Sequence, residues 1–158
     1  MGALVTIEVE ADEVEDFFAE LGTRATAPGP LLGFIGQDMI RKFQANIVKE
    51  SGGTDFPAWA PLKPATVAER ERLGYGGPHP ILQRERDLFS HLTFAVAGET
   101  VEAGLDGSLV YPLFHDLGEG QAQRAFVWID DPRVEGWLEV LAQFLVEGTP
   151  IPTPGGPE

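Results

Sequence analysis

Three histidines, three serines and a few paired acids are the residues of this chain whose types could do chemistry. His79, His91 and His115 are the histidines. A zinc site needs three or four ligands at workable spacing. Only His115 has acids close by, Asp116 and Glu119, and neither a His-x-x-x-His nor a His-Glu-x-x-His pattern occurs. We expect no metal site and no cofactor. His115 reads more simply as a side chain that hydrogen-bonds across the segment Tyr111 to Gly118 and fixes it. The serines are Ser51, Ser90 and Ser108, and none lies in Gly-x-Ser-x-Gly. Ser90 and His91 are adjacent, so on a strand they would point to opposite faces. Gly74-Tyr-Gly-Gly lacks both a preceding strand and a following Lys, and it reads as a flexible loop. Asp130-Asp131 stands before Pro132 as a helix start. No catalytic residue is expected. A small hydrolase using His115 with nearby acids is kept as an alternative, although no motif places a nucleophile.

The basic residues suggest contact rather than catalysis. Arg70, Arg72, Arg84 and Arg86 cluster, interleaved with Glu69, Glu71, Glu85 and Asp87. They serve either local ion pairs or a subunit interface, where Arg is favoured. Trp59, Arg124 and Trp128 join them as candidate interface residues, and Tyr111, His115 and Gly118 as a candidate structural loop. Elsewhere the chain is acidic: 11 Lys and Arg face 25 Asp and Glu, a net charge of −14. Such a surface repels nucleic acid and anionic membrane. It keeps a domain soluble, or it lines a passage through which DNA slides without sticking. There is no Cys, so no disulfide framework or thiolate metal site, which fits a reducing cytosol. No run approaches the roughly 20 apolar residues that span a bilayer. The N-terminus lacks the basic and apolar regions of a signal peptide. We therefore expect no membrane partner.

Positioning these residues falls to the stretch Ile81 to Gly120. A helical turn there feeds a hairpin, 91–98 and 100–105. Leu92, Phe94 and Val96 form the apolar row of one arm, and Val101, Ala103 and Leu105 that of the other. Gly98-Glu99 is the turn. A hairpin alone is marginal in water, so it needs a helix on its apolar face and further strands. Residues 3–10 alternate with Val5, Ile7 and Val9 and predict a strand, followed by a short helix from Asp12 that Gly22 ends. Leu32, Ile35, Met39, Phe43 and Ile47 stripe a long helix over 30–50. Residues 51–80 form a long central loop with one or two helical turns over 65–73, and Trp59 either staples it to the core or stands exposed. Alternation over 123–129 predicts a fourth strand, and a last helix covers 132–147. Residues 149–158, rich in Pro and Gly, predict a disordered tail after a single domain of 1–148.

The order of these motifs resembles the phage virion morphogenesis family, the tail-completion proteins of Mu-like phages. The resemblance covers about Ile35 to Ile129. It rests on the long helix, then Trp59-Ala-Pro-Leu62 with Thr66, the Ile81-Leu82 pair, and Leu88. The 92–105 hairpin with Gly104 follows, then Tyr111, His115 and Gly118, and finally Arg124-Ala-Phe126. Two places depart from the family pattern: Arg86-Asp87 stands where Thr-Gly is common, and a Pro before the last strand is missing.

The fold expected is α+β: a mostly antiparallel four-stranded sheet (3–10, 91–98, 100–105, 123–129) packed against helices 30–50 and 132–147. The resemblance implies a structural virion protein and not an enzyme. It would complete or terminate the tail, or join tail to head at the neck, as a homo-oligomeric ring such as a hexamer. Its partners would be tail-tube and head or neck proteins, with DNA passing through but not specifically bound. It would be assembled in the host cytoplasm and found in the virion. The alternative role is an assembly factor absent from the mature particle.

Overall fold

The computed structural model describes residues 11–51, 58–83, 87–118 and 120–153. Among them the order of elements is α1 (Ala11–Thr26), α2 (Gly29–Lys49), α3 (Pro64–Arg72), α4 (Asp87–Ser90), β1 (Leu92–Ala97), β2 (Thr100–Leu105), α5 (Tyr111–Leu117) and α6 (Asp131–Ala142). A π-helical turn, Gln143–Glu147, continues α6. The centre is α2. Pro30 occupies its first turn, where a missing N–H costs nothing. At its far end Glu50 takes a left-handed conformation (φ 53°), and its N–H closes onto the carbonyls of Asn46 and Ile47. The helix therefore stops ahead of Gly52-Gly53.

The hairpin takes the expected register, with Leu92 opposite Leu105 and Ala97 opposite Thr100, and Gly98-Glu99 forms its two-residue turn. Gly98 has φ 59°, as such a turn requires. The hairpin lies on α2, and the approach is close at one point. A Cβ on Gly36 would sit 2.2 Å from the ring of Phe94. The core gathers here: Phe43, Ile47, Trp59, Ile81, Leu88, Leu92 and Phe126.

The expected four-stranded sheet is overturned. Among the described residues the sheet has two strands, and the helices number six. The proposed strand 3–10 lies outside the described residues. Residues 123–129 form no strand, and several of their backbone groups are taken by side chains. Asp116 Oδ1 accepts from the N–H of Phe126 at 2.8 Å and of Val127 at 3.1 Å. Asn46 Nδ2 donates to the carbonyls of Phe126 (3.0 Å) and Trp128 (3.3 Å), and Trp59 Nε1 donates to that of Ala125 at 3.0 Å. Three consecutive residues, Arg124, Ala125 and Phe126, are buried. That pattern suits a segment threaded through the interior and not a strand with two faces.

Other boundaries also move. The first helix runs past Gly22 to Thr26, where the hydroxyls of Thr23 and Thr26 bond back to the carbonyls of Ala19 and Gly22. The expected loop Tyr111 to Gly118 is the helix α5, with Pro112 in its first turn and Gly118 as its left-handed cap (φ 75°). Nor do two long helices share the sheet: α2 carries the hairpin, while α6 contributes no buried side chain.

Candidate functional site

Three polar assemblies stand out. The first ties α5 to the threaded segment 123–129. Arg124 donates from its backbone to the His115 carbonyl (2.7 Å) and from its guanidinium to the Ala60 carbonyl (3.0 Å). The same guanidinium lies 3.1 Å from His115 Nδ1. Burial, and then the neighbouring Arg124 charge, push the imidazole below its ordinary pKa. Burial likewise lowers Arg124 itself. A neutral His115 therefore accepts from Arg124. This assembly is half-buried, and these bonds run between α5, the segment 123–129 and the Ala60 carbonyl.

The second assembly lies between α2 and α6. Phe34, Asp38, Lys42, Ala45, Asn46 and Lys49 repeat at helical spacing along one face of α2. Across from them are Asp130, Pro132, Arg133, Gly136 and Trp137, and the cleft between holds about 690 Å³. Three polar contacts bridge it. Lys42 Nζ meets Asp130 Oδ2 at 2.5 Å. Asp38 Oδ2 accepts from Trp137 Nε1 at 2.8 Å and meets Arg133 Nε at 3.1 Å. The Lys42 hydrogen bond holds the Asp130 carboxyl below its usual range, against a smaller opposing effect of burial.

A third cluster combines Ser, His and Asp. His91 Nδ1 lies 3.0 Å from Asp106 Oδ2 and 2.7 Å from Ser108 Oγ, and Ser108 also donates to Asp106 Oδ1 from its backbone (2.9 Å) and hydroxyl (2.6 Å). Those bonds, Ser108 foremost, hold the exposed Asp106 at about 2. A proton relay needs the acid and the nucleophile on opposite ring nitrogens. Here both meet Nδ1, so the cluster closes the turn after β2 and activates no hydroxyl. Among the described residues no three His, Asp or Glu side chains gather as a metal site. No described helix is long and apolar enough to cross a membrane.

The comparisons add one decisive finding. The model of the phage virion morphogenesis family matches residues 9–140. The chain belongs to that family. Its role is thus one of phage structure and assembly, which is consistent with a virion-associated protein. Searches of curated proteins and of solved structures gave no match.

Within this member of the family the expected site residues fall into separate places. Trp59, Arg70 and Arg124 are buried, and each spends polar atoms on carbonyls of its own chain. Arg70 holds the following loop by donating to the Pro80 carbonyl at 2.9 Å. Arg72 and Trp128 are exposed. Arg84 and Arg86 lie outside the described residues. Tyr111 and His115 lie one turn apart on α5, and Gly118 is its cap. The reading of residues missed the row Asp38, Lys42, Asn46, Lys49. Its signal was present, since polar residues at i, i+4 and i+8 within an otherwise apolar helix mark a second face. It also missed Glu50, whose carboxylate accepts from the Ile81 N–H at 2.7 Å and meets His79 Nδ1 at 2.6 Å.

Proposed function

We propose that the chain acts as a homo-oligomeric ring that completes or terminates the phage tail and prepares it to join the head. The observation that carries this reading is apolar surface left uncovered on three helices. Phe17 and Phe18 on α1, Leu113, Phe114 and Leu117 on α5, and Val134 and Leu138 on α6 are all exposed. Large apolar side chains left exposed in groups on a helix suit contact with other proteins. Head-to-tail contacts between copies close into a ring when the rotation permits. A hexamer is one such closure. One rim would complement the last tail-tube ring, and the other would block further addition and receive a head or neck protein. Arg72 and Trp128 remain candidate contact positions on its surface. The net charge of −14 supports a lumen through which DNA passes without specific binding.

The test is solution mass by light scattering across concentration, with negative-stain images of the largest species, and the protein content of purified particles. A closed ring together with presence in the particle is the expected result. A monomer that is absent from particles would overturn the ring and favour an assembly factor.

A further inference from the structure

We infer that the cleft between α2 and α6 receives helix α1 of a neighbouring copy. The inference rests on the ring reading above and names its contact. The cleft runs along a full face of α2, from Phe34 to Lys49, and α6 stands off from that face on polar bridges. Its lining holds three cations, Lys42, Lys49 and Arg133, against two carboxylates, Asp38 and Asp130. Both carboxylates are already paired, whereas Lys49 stands exposed at the end of α2. A cleft with surplus positive charge is unusual in a chain of net charge −14. Phe34, Pro132 and Trp137 give it apolar walls.

Helix α1 has the complementary chemistry. Over Ala11–Thr26 it carries five carboxylates and one Arg, and that Arg already pairs with Glu20. Val14, Phe17, Phe18 and Leu21 recur at helical spacing, and the first three are exposed, Phe18 by 62%. Its 16 residues span about 24 Å, and the cleft follows α2 over a similar length. In its own chain α1 packs mainly on the π-helical turn, near its C-terminal end, where the Arg24 guanidinium lies against Gly148. The apolar stripe enters the cleft and the flanking acids meet Lys49 and its neighbours. The donor surface differs from the acceptor surface, so the contact is heterologous and repeats from copy to copy.

The chain has no cysteine, so engineered thiols report the contact cleanly. A Val14→Cys chain is mixed with an Ala45→Cys chain under mild oxidation, with Glu99→Cys at the hairpin turn as the control partner. The expected result is a disulfide-linked pair in the first mixture and not in the control. Phe17→Ser with Phe18→Ser is expected to raise the concentration needed for assembly by about tenfold or more, and Lys49→Glu to raise it less. A ring that forms with both phenylalanines replaced and without the cross-link overturns the docking alone. A bond formed within a single Val14→Cys/Ala45→Cys chain overturns it too. A wild-type chain that stays monomeric and yields no cross-linked pair overturns the docking and the ring together.

Discussion

One face of α2 meets the hairpin through Gly36, Met39, Ile40, Phe43 and Ile47. The opposite face, half a turn away, looks at α6 across Asp38, Lys42 and Lys49. The first contact is dry and close. Phe43 and Ile47 are fully buried, and Gly36 lets the Phe94 ring approach the helix backbone. The second is open and polar, with charged bridges spanning a cleft. Packing of the first kind resists dissection, because every removed methylene leaves a void. Charged bridges at a partly wet surface are weaker and answer to salt and pH. The contrast separates two kinds of contact: the hairpin face holds the fold, and the α6 face is the one for which docking is proposed.

The comparison breaks most sharply on the dry side. Phe43→Ala should cost about 3–5 kcal/mol, read as a lowered denaturation midpoint that hardly changes with salt. A smaller loss would mean that the hairpin is not the principal contact of α2. Next is the boundary between the faces, where Asn46 holds two carbonyls. Asn46→Leu leaves them unpaired and should cost about 1–3 kcal/mol, measured in the same way. On the wet side, Asp38→Ala should cost about 1–2 kcal/mol, as for a lost charge-assisted bond. Amide exchange should quicken in α6 while the hairpin amides keep their protection, and raised salt should reproduce part of the effect in the wild type. If the hairpin loosened equally, the two faces would not be separable.

The smallest expected effect is the pH response. His115 has its folded pKa lowered by burial and then by Arg124. Above the ordinary value of about 6.5 the ring is neutral in both states. Below it the unfolded chain takes the proton first, so stability falls with falling pH through the folded value. Thermal midpoints between pH 7.5 and 5.5 should show this decline, and His115→Gln should flatten it. Asp130, lowered chiefly by the Lys42 hydrogen bond, acts in a more acid window. Its contribution is present above the ordinary carboxylate pKa of about 4 and is lost as pH falls through the lowered value. Lys42→Met should remove that second decline.

Much of the scaffold was legible because its causes are local. The stripe from Leu32 to Ile47 reads as a helix at any distance from its partners. Gly98-Glu99 between two alternating arms fixes the register with no help from the rest of the chain. The helical turns of α3 and the start of α6 beside Pro132 follow from nearby residues in the same way. The site was harder to see. Arg70 and Arg124 looked like surface contacts, yet both are buried, and each donates to a carbonyl of the loop region, Arg70 to Pro80 and Arg124 to Ala60. Asn46 and Asp38 were hidden within an apolar pattern that drew attention to the other face of the same helix.

The sequence by itself determined α2, the hairpin and its turn, the acidic character of the surface, and the family to which the motif order points. Periodicity, turn chemistry and composition act over a few residues or over the whole chain, so no contact need be known. Only the tertiary structure decided the fate of 123–129. Its alternation promised a strand, but its carbonyls are taken by Asn46, 80 residues away, and by Trp59, 66 residues away. It likewise decided that α6 would stand off α2 on ion pairs between residues 88 and 95 positions apart in the chain. A backbone group bonds to whatever donor the fold brings near, and that choice is made by packing and not by neighbours in the chain.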